Sequence, residues 1–428
     1  MGGEVKSMRA LVLAIGALAL AAACGGIPGG QVGAGDYKVY EASSKGASQQ
    51  LSVIDSRSHA VERNMPLGTP SADWSHLYSV NGNVLVDLDP QTGSVRYQLP
   101  LPGNYKLPSA TISGVPGGLS RNGHWLVLES FDATSSGMPS ASHFVVVDTT
   151  YVQKPRRFDL SGYFQFDAIN DGGGRVYLIQ YLSSTSYYVR FFNVAGSVGY
   201  LDPQIVFDKS DGSAAMAGAR LSGVASTDGQ WLYSVYVRPD KSAFIHALSL
   251  ENPIAFCIDL PGSGYNTNPD EFRWSLAMNV QGTHLYAANG ATGVLADIST
   301  DNGGPAGTPP RIAQITTGQA SSALVHEAQA KELGGGSAAI TPDGRTLVIG
   351  GKAGLVWIDT ASLTAKDRQL SSWRVWSIAM SPDGKTLYAI DDAGMIAEVP
   401  MAGAHQATTF GGAEGQPLAL IRVAGTPS

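Results

Sequence analysis

Short apolar segments recur along the chain, and each follows a turn rich in Ser or Thr, Pro, Asp or Asn, and Gly. The two clearest copies span residues 341–348, TPDGRTLV, and 381–388, SPDGKTLY. Pro presets φ for the second position of such a turn and Gly adopts positive φ without steric cost, so the motif predicts a tight turn that leads into a strand. Related turns occupy residues 71–74, 120–123, 170–172, 226–229 and 279–282. A β-rich unit repeated at roughly this spacing predicts a β-propeller.

A second strand in each unit often ends in an acidic residue, which we expect to cap the amides of the next turn. Copies occupy residues 51–55, 84–89, 144–148, 294–297 and 355–359, with looser ones at 188–193, 244–248 and 395–399. The unit around Asp55 has no inner strand before it, and the C-terminal segment 416–423 is a strand with no later partner. We therefore predict that the C-terminal strand completes the N-terminal blade and closes the ring.

The predicted fold is all-β: a single propeller of four-stranded blades. The count of second strands favours eight blades. Seven is the alternative, because very few residues separate Gly68 from the turn at Ser71 and leave little room for an inner strand.

These repeats resemble the YVTN-type and tryptophan-aspartate-type repeats of bacterial β-propellers. The resemblance rests on the two turn-strand motifs above and on Trp357-Ile358-Asp359, and it is best over residues 337–400. The motifs define the fold in such proteins and are not catalytic. The resemblance therefore implies a broad range of roles: binding scaffolds, interaction modules and, in some branches, lactonases, lyases and quinone-dependent dehydrogenases.

The N-terminus has the pattern of a bacterial lipoprotein signal. Lys6 and Arg9 precede an apolar run over residues 10–23 that is short for a membrane span and ends in small residues before Cys24. We expect residues 1–23 to be a signal peptide, Cys24 to be lipidated, residues 24–36 to be a flexible tether and residues 37–428 to form the propeller. A plain secretory signal with an incidental Cys is the alternative. The expected location is the bacterial cell envelope, outside the cytoplasm, with attachment to the membrane through Cys24.

Charge and spacing argue against several kinds of ligand. The formal net charge is −7 and no Lys/Arg run exceeds two residues, so we expect no nucleic-acid partner. No pair among the eight histidines has zinc-ligand spacing, and we expect neither a metal nor a cofactor. Cys257 lies in an apolar strand and is expected to be a small buried hydrophobic residue.

In a propeller, the connections from each outer strand to the next inner strand ring one mouth of the central channel. Several of these connections carry unusual residues, which are Arg220, Arg273, Trp274, Arg374 and Trp376. Such side chains could bind an anionic or carbohydrate-like group through bidentate hydrogen bonds and stacking. The alternative is that the tryptophans wedge between blades and the arginines pair with local acids.

Two insertions also stand out. Residues 132–141 form a polar loop between two strands of one blade, and residues 321–333 predict a short helix over a channel mouth. The expected function is a binding or interaction scaffold for a partner protein or an envelope carbohydrate. The alternative is a propeller enzyme, lactonase-, lyase- or sugar-dehydrogenase-like, that uses channel-mouth residues; a purely structural role is a third reading. No catalytic residue can be named from the sequence.

Overall fold

A computed structural model describes residues 36–112, 114–132, 137–194, 198–208, 215–301, 303–315 and 337–425. In these residues the chain forms eight antiparallel sheets, each a blade, arranged in a ring. This confirms the all-β, eight-bladed prediction, and the seven-bladed alternative is wrong.

Blades 1 to 4 hold the first fifteen strands and the C-terminal strand. Blade 1 contains β1 (Tyr37–Lys45), β2 (Ser48–Asp55), β3 (Val61–Pro66) and β33 (Gln416–Gly425). Blade 2 contains β4 (Thr69–Pro70), β5 (Leu77–Asn81), β6 (Val84–Leu88) and β7 (Val95–Pro100). Blade 3 contains β8 (Trp125–Phe131), β9 (Ala141–Asp148) and β10 (Arg156–Ser161). Blade 4 contains β11 (Phe164–Ile169), β12 (Arg175–Tyr181), β13 (Ser186–Asn193), β14 (Tyr200–Leu201) and β15 (Met216–Ala217).

Blades 5 to 8 follow in chain order. Blade 5 contains β16 (Ala219–Ala225), β17 (Trp231–Val237), β18 (Ala243–Ser249) and β19 (Ala255–Asp259). Blade 6 contains β20 (Trp274–Met278), β21 (His284–Asn289), β22 (Val294–Asp301), β23 (Gly304–Pro305) and β24 (Arg311–Gln314), preceded by a short 3-10 helix (Pro269–Arg273). Blade 7 contains β25 (Ala338–Ile340), β26 (Thr346–Gly351), β27 (Gly354–Asp359) and β28 (Thr364–Gln369). Blade 8 contains β29 (Val375–Met380), β30 (Thr386–Asp391), β31 (Met395–Pro400) and β32 (Thr408–Gly411).

The two ends of the propeller meet in blade 1, as predicted. Strand β33 pairs antiparallel with β1, with Ala42 opposite Ala419 and Val39 opposite Val423. It takes the innermost position of the sheet and lies beside β29, the inner strand of blade 8. The ring therefore closes with one inner strand from the C-terminus and three outer strands from the N-terminus.

The inner positions of blades 2 and 3 are irregular, and the one in blade 2 lies where the sequence left little room for a strand. Blade 2 has only the two-residue strand β4 at its inner edge. In blade 3 the inner position is taken by Gly118 and Leu119, whose backbones bond to Val127 and Leu126 of β8. Both blades keep the turn and the three outer strands. The repeat is therefore still recognisable in each of them, although the inner strand is short.

The Ser/Thr-Pro-Asp-Gly turns hold their shape through side chains. The Ser381 hydroxyl donates to Asp383 at 2.7 Å and accepts from the Thr386 amide at 2.9 Å, while Asp383 accepts from the Lys385 amide. Gly384 has φ 69°, which is costly for a residue with a side chain. A Cβ there would lie 2.5 Å from the ring of Pro342 in the blade 7 turn, so successive turns also pack against each other.

The acidic residues at the ends of the second strands cap turns as predicted, with one exception. Asp55, Asp148 and Asp359 accept hydrogen bonds from amides two to five residues later. Asp297 instead lies within β22 and bonds His284 Nδ1 at 2.7 Å and Arg311. Its carboxylate ties neighbouring strands of blade 6 together.

The core lies between the faces of neighbouring blades. A cluster of Val127, Phe144, Phe164 and Val176, for example, joins blades 3 and 4. In the described part of the chain no helix has the length and hydrophobicity needed to cross a membrane. The predicted signal peptide, Cys24 and all of the tether except Asp36 lie outside the described residues.

Candidate ligand-binding site

One connection runs across the channel mouth. The strap, which we define as residues 106–112 and 114–117 between β7 and the inner edge of blade 3, contacts several blades. The Ile112 amide donates to the carbonyl oxygen of Leu221 in blade 5 at 2.9 Å. The Thr69 hydroxyl of blade 2 donates to the Gly117 carbonyl at 2.7 Å. A Cβ on Gly114 would contact Gln49 of blade 1. The strap thus spans the mouth and covers the inner strands of blades 4 and 5.

Beneath the strap lies a cavity of about 380 Å³. Its walls come from the strap, the inner strands of blades 4 and 5, and the hairpin between β12 and β13. The lining residues are Ser109, Ala110, Thr111, Ile112, Gln165, Phe166, Ile179, Tyr181, Ser184, Thr185, Tyr187, Gly218, Ala219, Arg220, Tyr236 and Tyr265. The volume falls in the range of ordinary small-molecule sites.

A polar and aromatic chain borders the cavity on the blade 4 side. The Tyr181 hydroxyl donates to Gln165 Oε1 at 2.9 Å, and Gln165 Nε2 donates to the Tyr163 hydroxyl. The rings of Tyr163 and Tyr181 stack with centroids 4.9 Å apart. Burial raises the pKa of Tyr181 to about 12, so its hydroxyl stays protonated and keeps donating to Gln165 at neutral pH.

A buried ion pair joins the inner strands of blades 4 and 5. Arg220 Nη1 lies 2.7 Å from Asp167 Oδ1, and both side chains are largely shielded from solvent. Burial is the largest single influence on Arg220 and disfavours its charge, but the Asp167 carboxylate and the neighbouring tyrosines together keep the pKa of the guanidinium above its ordinary value. The pair therefore brings a fixed donor group to the cavity wall without adding net charge.

Several buried polar atoms next to this cavity lack a well-formed hydrogen bond within the described residues. They are Arg220 Nε, the hydroxyls of Tyr187 and Tyr236, and both ring nitrogens of His246. The two tyrosine hydroxyls lie close enough to influence each other, and burial raises both pKa values well above the ordinary one. Burial lowers the pKa of His246 to about 4, so its ring is neutral. Such a concentration of buried polar groups that lack a well-formed hydrogen bond is unusual in a protein interior, and it distinguishes this sector of the ring as a candidate binding site.

A buried carboxyl also lies at the blade 3 side of the strap. Glu129 accepts from the Phe166 amide at 3.1 Å, and Lys106 Nζ lies 3.9 Å from its other oxygen. Burial raises the pKa of Glu129 to about 7, against the lowering effects of the Phe166 amide and Lys106. Glu129 thus lies behind the cavity wall formed by Phe166.

The five predicted channel-mouth residues do not form one site. Only Arg220 lines the cavity. Arg273, Trp274 and Trp376 border a recess of about 20 Å³ between blades 6, 7 and 8, and the Arg273 guanidinium lies 5.2 Å from the Trp376 ring.

The remaining contacts of these residues are local. Trp274 Nε1 donates to Glu271 at 3.1 Å and Trp376 Nε1 donates to the Leu418 carbonyl at 3.2 Å. Arg374 is more than half exposed and pairs with Asp392 at 2.8 Å. These contacts agree with the alternative interpretation of wedged tryptophans and locally paired arginines.

The sequence interpretation missed most of the cavity. Gln165 and Asp167 alternate with Phe164 and Phe166 on β11, the inner strand of blade 4. That alternation was a readable signal. The strap has no comparable signal in the sequence, because its contacts with blades 1, 2 and 5 depend on distant parts of the chain.

The other predicted features have mixed outcomes. The insertion at 132–141 does join two strands of one blade, β8 and β9, whereas the predicted helix at 321–333 lies outside the described residues. Cys257 is only partly buried, which corrects the expected full burial, and its amide donates to Asp208 at 3.0 Å. Among the described residues, no group of three or more His, Cys, Asp or Glu side chains could hold a metal ion.

Comparison with known proteins gives structural relatives only. No family model matches the chain, and no curated protein sequence matches it. Among solved structures, the dihydro-heme d1 dehydrogenase NirN in complex with DHE aligns with a TM-score of 0.51 at 13% identity, covering 91% of this chain and 76% of that one. Apo AztD from Citrobacter koseri aligns at 0.49 and 13% identity, covering 91% and 97%, and BamB from Moraxella catarrhalis at 0.47 and 12% identity, covering 82% and 88%. At such identities the likeness shows the fold alone, and that fold is the β-propeller.

Proposed function

We propose that this chain is a lipid-anchored, extracytoplasmic β-propeller that acts as a binding scaffold and holds a small ligand in the cavity of blades 4 and 5. The observation that carries this proposal is the cavity itself. It combines a ligand-sized volume, a covering strap and a concentration of buried polar groups at one sector of the ring.

The chemistry of the lining favours binding over catalysis. The lining side chains that titrate are four tyrosines and Arg220, and Arg220 is held charged by Asp167. Tyr181, Tyr187 and Tyr236 all have pKa values raised by burial. A general acid or base needs a pKa near the working pH, and burial moves the pKa of these three tyrosines away from it.

The extracytoplasmic and anchored parts of the proposal rest on the N-terminal sequence. Lys6 and Arg9, the apolar run and Cys24 together have the pattern of a lipoprotein signal. Replacing Cys24 by Ser should release the protein from the membrane fraction; retention of the variant there would contradict the anchor.

A binding experiment tests the site. The purified protein is mixed with the small-molecule fraction of a bacterial cell-envelope extract, and thermal unfolding is followed. We expect a stabilising shift with the wild type because a ligand of the folded state raises its stability. Tyr181→Ala should abolish the shift, whereas Arg374→Ala, at an exposed site outside the cavity, should keep it. No shift with the wild type, or equal shifts in both variants, would refute the site.

A further inference from the structure

We infer that the cavity of blades 4 and 5 selects an uncharged, hydroxyl-rich ring, that is, a neutral sugar or a ligand with the same chemistry. The inference deepens the proposed function and rests on it. Three features of the lining lead to it: charge balance, hydrogen-bonding groups and aromatic walls.

The charge of the lining does not suit an anion. Arg220 is the one cationic side chain among the described residues that line the cavity, and Asp167 already occupies one of its donor nitrogens at 2.7 Å. An anionic ligand would gain from Arg220 only while it approached Asp167, and like charges in a buried site repel strongly.

A strongly cationic ligand is also disfavoured. The guanidinium of Arg220 forms part of the wall, so a second positive charge in the cavity would lie near it. Because Arg220 and Asp167 neutralise each other, the site favours ligands that are polar but carry no net charge.

The polar groups suit hydroxyls. Beyond its bonds to Tyr163 and Tyr181, Gln165 keeps a second amide proton and a second carbonyl lone pair. The Tyr181 oxygen can accept, Arg220 can donate, and the hydroxyls of Ser109, Ser184 and Thr185 also line the space. A sugar hydroxyl donates and accepts at once, so it can match any of these groups. A purely apolar ligand would bury the same polar groups without partners, which is costly.

The remaining walls suit a flat or puckered ring. Tyr181 and Tyr265 supply aromatic surface, each held by a stacked neighbour, Tyr163 at 4.9 Å and Phe272 at 4.8 Å. Ile112 of the strap and Ile179 of β12 supply apolar contact. A sugar ring presents apolar C–H faces and polar edges, and this lining presents the complementary pattern.

The test uses the full-length protein and calorimetric titration with a defined panel. The neutral probes are glucose, galactose, mannose, N-acetylglucosamine, maltose and cellobiose; the charged probes are glucuronate and glucosamine. We expect at least one neutral probe to bind, and to bind about tenfold or more tightly than either charged probe. Gln165→Leu should weaken the neutral probe by about tenfold because it removes a donor and an acceptor. Arg374→Gln, outside the cavity, should bind like the wild type.

A more conservative variant controls for loss of binding that is caused by misfolding. Tyr181→Phe keeps the ring and removes the hydroxyl, and it should weaken the neutral probe less than Gln165→Leu while its circular dichroism matches the wild type. Asp167→Asn leaves Arg220 uncompensated and should improve glucuronate binding relative to the neutral probe.

The outcomes separate this inference from the proposed function. Binding of glucuronate or glucosamine as tight as that of every neutral probe overturns the ligand class. So does the failure of all neutral probes to bind. In either case the extract experiment with Tyr181→Ala still decides, independently, whether the cavity is a binding site at all.

Discussion

Glu129 is a carboxyl group kept out of water by the fold. Burial raises its pKa from 4.5 to about 7, and the Phe166 amide and Lys106 only partly oppose this. Glu41 of blade 1 is a second such group, whose pKa burial also raises to about 7, against one hydrogen bond from the Ala413 amide. Both residues sit at the fifth position of the second strand of their blades.

These two residues should make the protein less stable as the pH rises. The folded-state pKa of Glu129 lies above that of the unfolded chain, so its contribution is fully present below about pH 4.5 and is lost as the pH passes through 7. Glu129→Gln, which mimics the protonated form, should therefore be more stable than the wild type at pH 8, by up to about 3 kcal/mol, and nearly equal to it at pH 4.5. Urea unfolding at the two pH values measures this.

The matched control is Glu414→Gln, because Glu414 is exposed and its carboxylate pairs with Lys45 at the surface. It should leave the pH dependence close to that of the wild type. The account is contradicted if Glu129→Gln is destabilising to the same extent at both pH values.

The Arg220–Asp167 pair should show strong coupling in a double-mutant cycle. Arg220→Gln or Asp167→Asn alone leaves a buried charge without its partner, and either change should cost about 3 to 5 kcal/mol of stability. The double variant removes both charges and should cost less than the sum of the two single changes. Chemical denaturation of the four proteins gives the coupling energy, and additive effects would show that the two side chains do not depend on each other.

At the scale of elements, the repeated turns of blades 7 and 8 pack directly against each other. Gly384 combines φ 69° with a close approach to Pro342 of the preceding blade. Gly394, in the same blade, has φ 82° but open space around it. The two glycines therefore differ in packing and not in backbone conformation.

Alanine substitution at these two positions separates the two effects. Gly394→Ala should cost about 1 kcal/mol for the unfavourable φ alone. Gly384→Ala should cost a further 1 to 3 kcal/mol, roughly, because its methyl group overlaps the proline ring. The midpoints of urea unfolding provide the comparison. Equal losses at both sites would mean that the turns of blades 7 and 8 do not pack as the structure shows.

The sequence predicted elements where local chemistry decides the structure, and failed where distant contacts decide it. Turns such as Thr341 to Gly344 follow from the preferences of Pro, Asp and Gly, and the structure confirms them. The capping by Asp359 follows equally from its position at a strand end. The strap has no such local signature, since the bond from Ile112 to Leu221 joins residues more than a hundred positions apart.

The same reasoning explains the site residues. The sequence indicates Arg220 as an unusual residue at a channel connection, and in the structure Arg220 lines the cavity. Its partner Asp167 and the donor Tyr181 lie in another blade, and nothing local in the sequence places them beside it. A single sequence therefore indicates individual polar residues on inner strands but not which of them meet.

At the scale of the whole molecule, closure of the ring depends on β33. The counting of strands predicted this closure, because an unpaired terminal strand and an incomplete first blade needed each other. In the structure Ala42 of β1 faces Ala419 of β33, and both are buried. Two small residues in this position offer a direct way to join the ends.

A disulfide across this pair should form and stabilise the ring. In Ala42→Cys/Ala419→Cys the two thiols face each other across paired strands, so oxidation should link them with little strain. The bond closes a loop of most of the chain and could add up to about 5 kcal/mol. Mass spectrometry locates the bond and thermal unfolding measures the gain, with the reduced double variant as the control. A variant that stays unlinked under oxidising conditions would contradict the pairing.

The central claim is that this propeller holds its ligand under the strap, against blades 4 and 5. A crystal structure of the protein grown with the tightest-binding neutral sugar of the panel tests it most directly. The account predicts sugar density in contact with Gln165, Tyr181 and Arg220, with the Arg220–Asp167 pair intact. Density at the recess of Arg273 and Trp376 instead, with an empty cavity beneath Ile112, would contradict it.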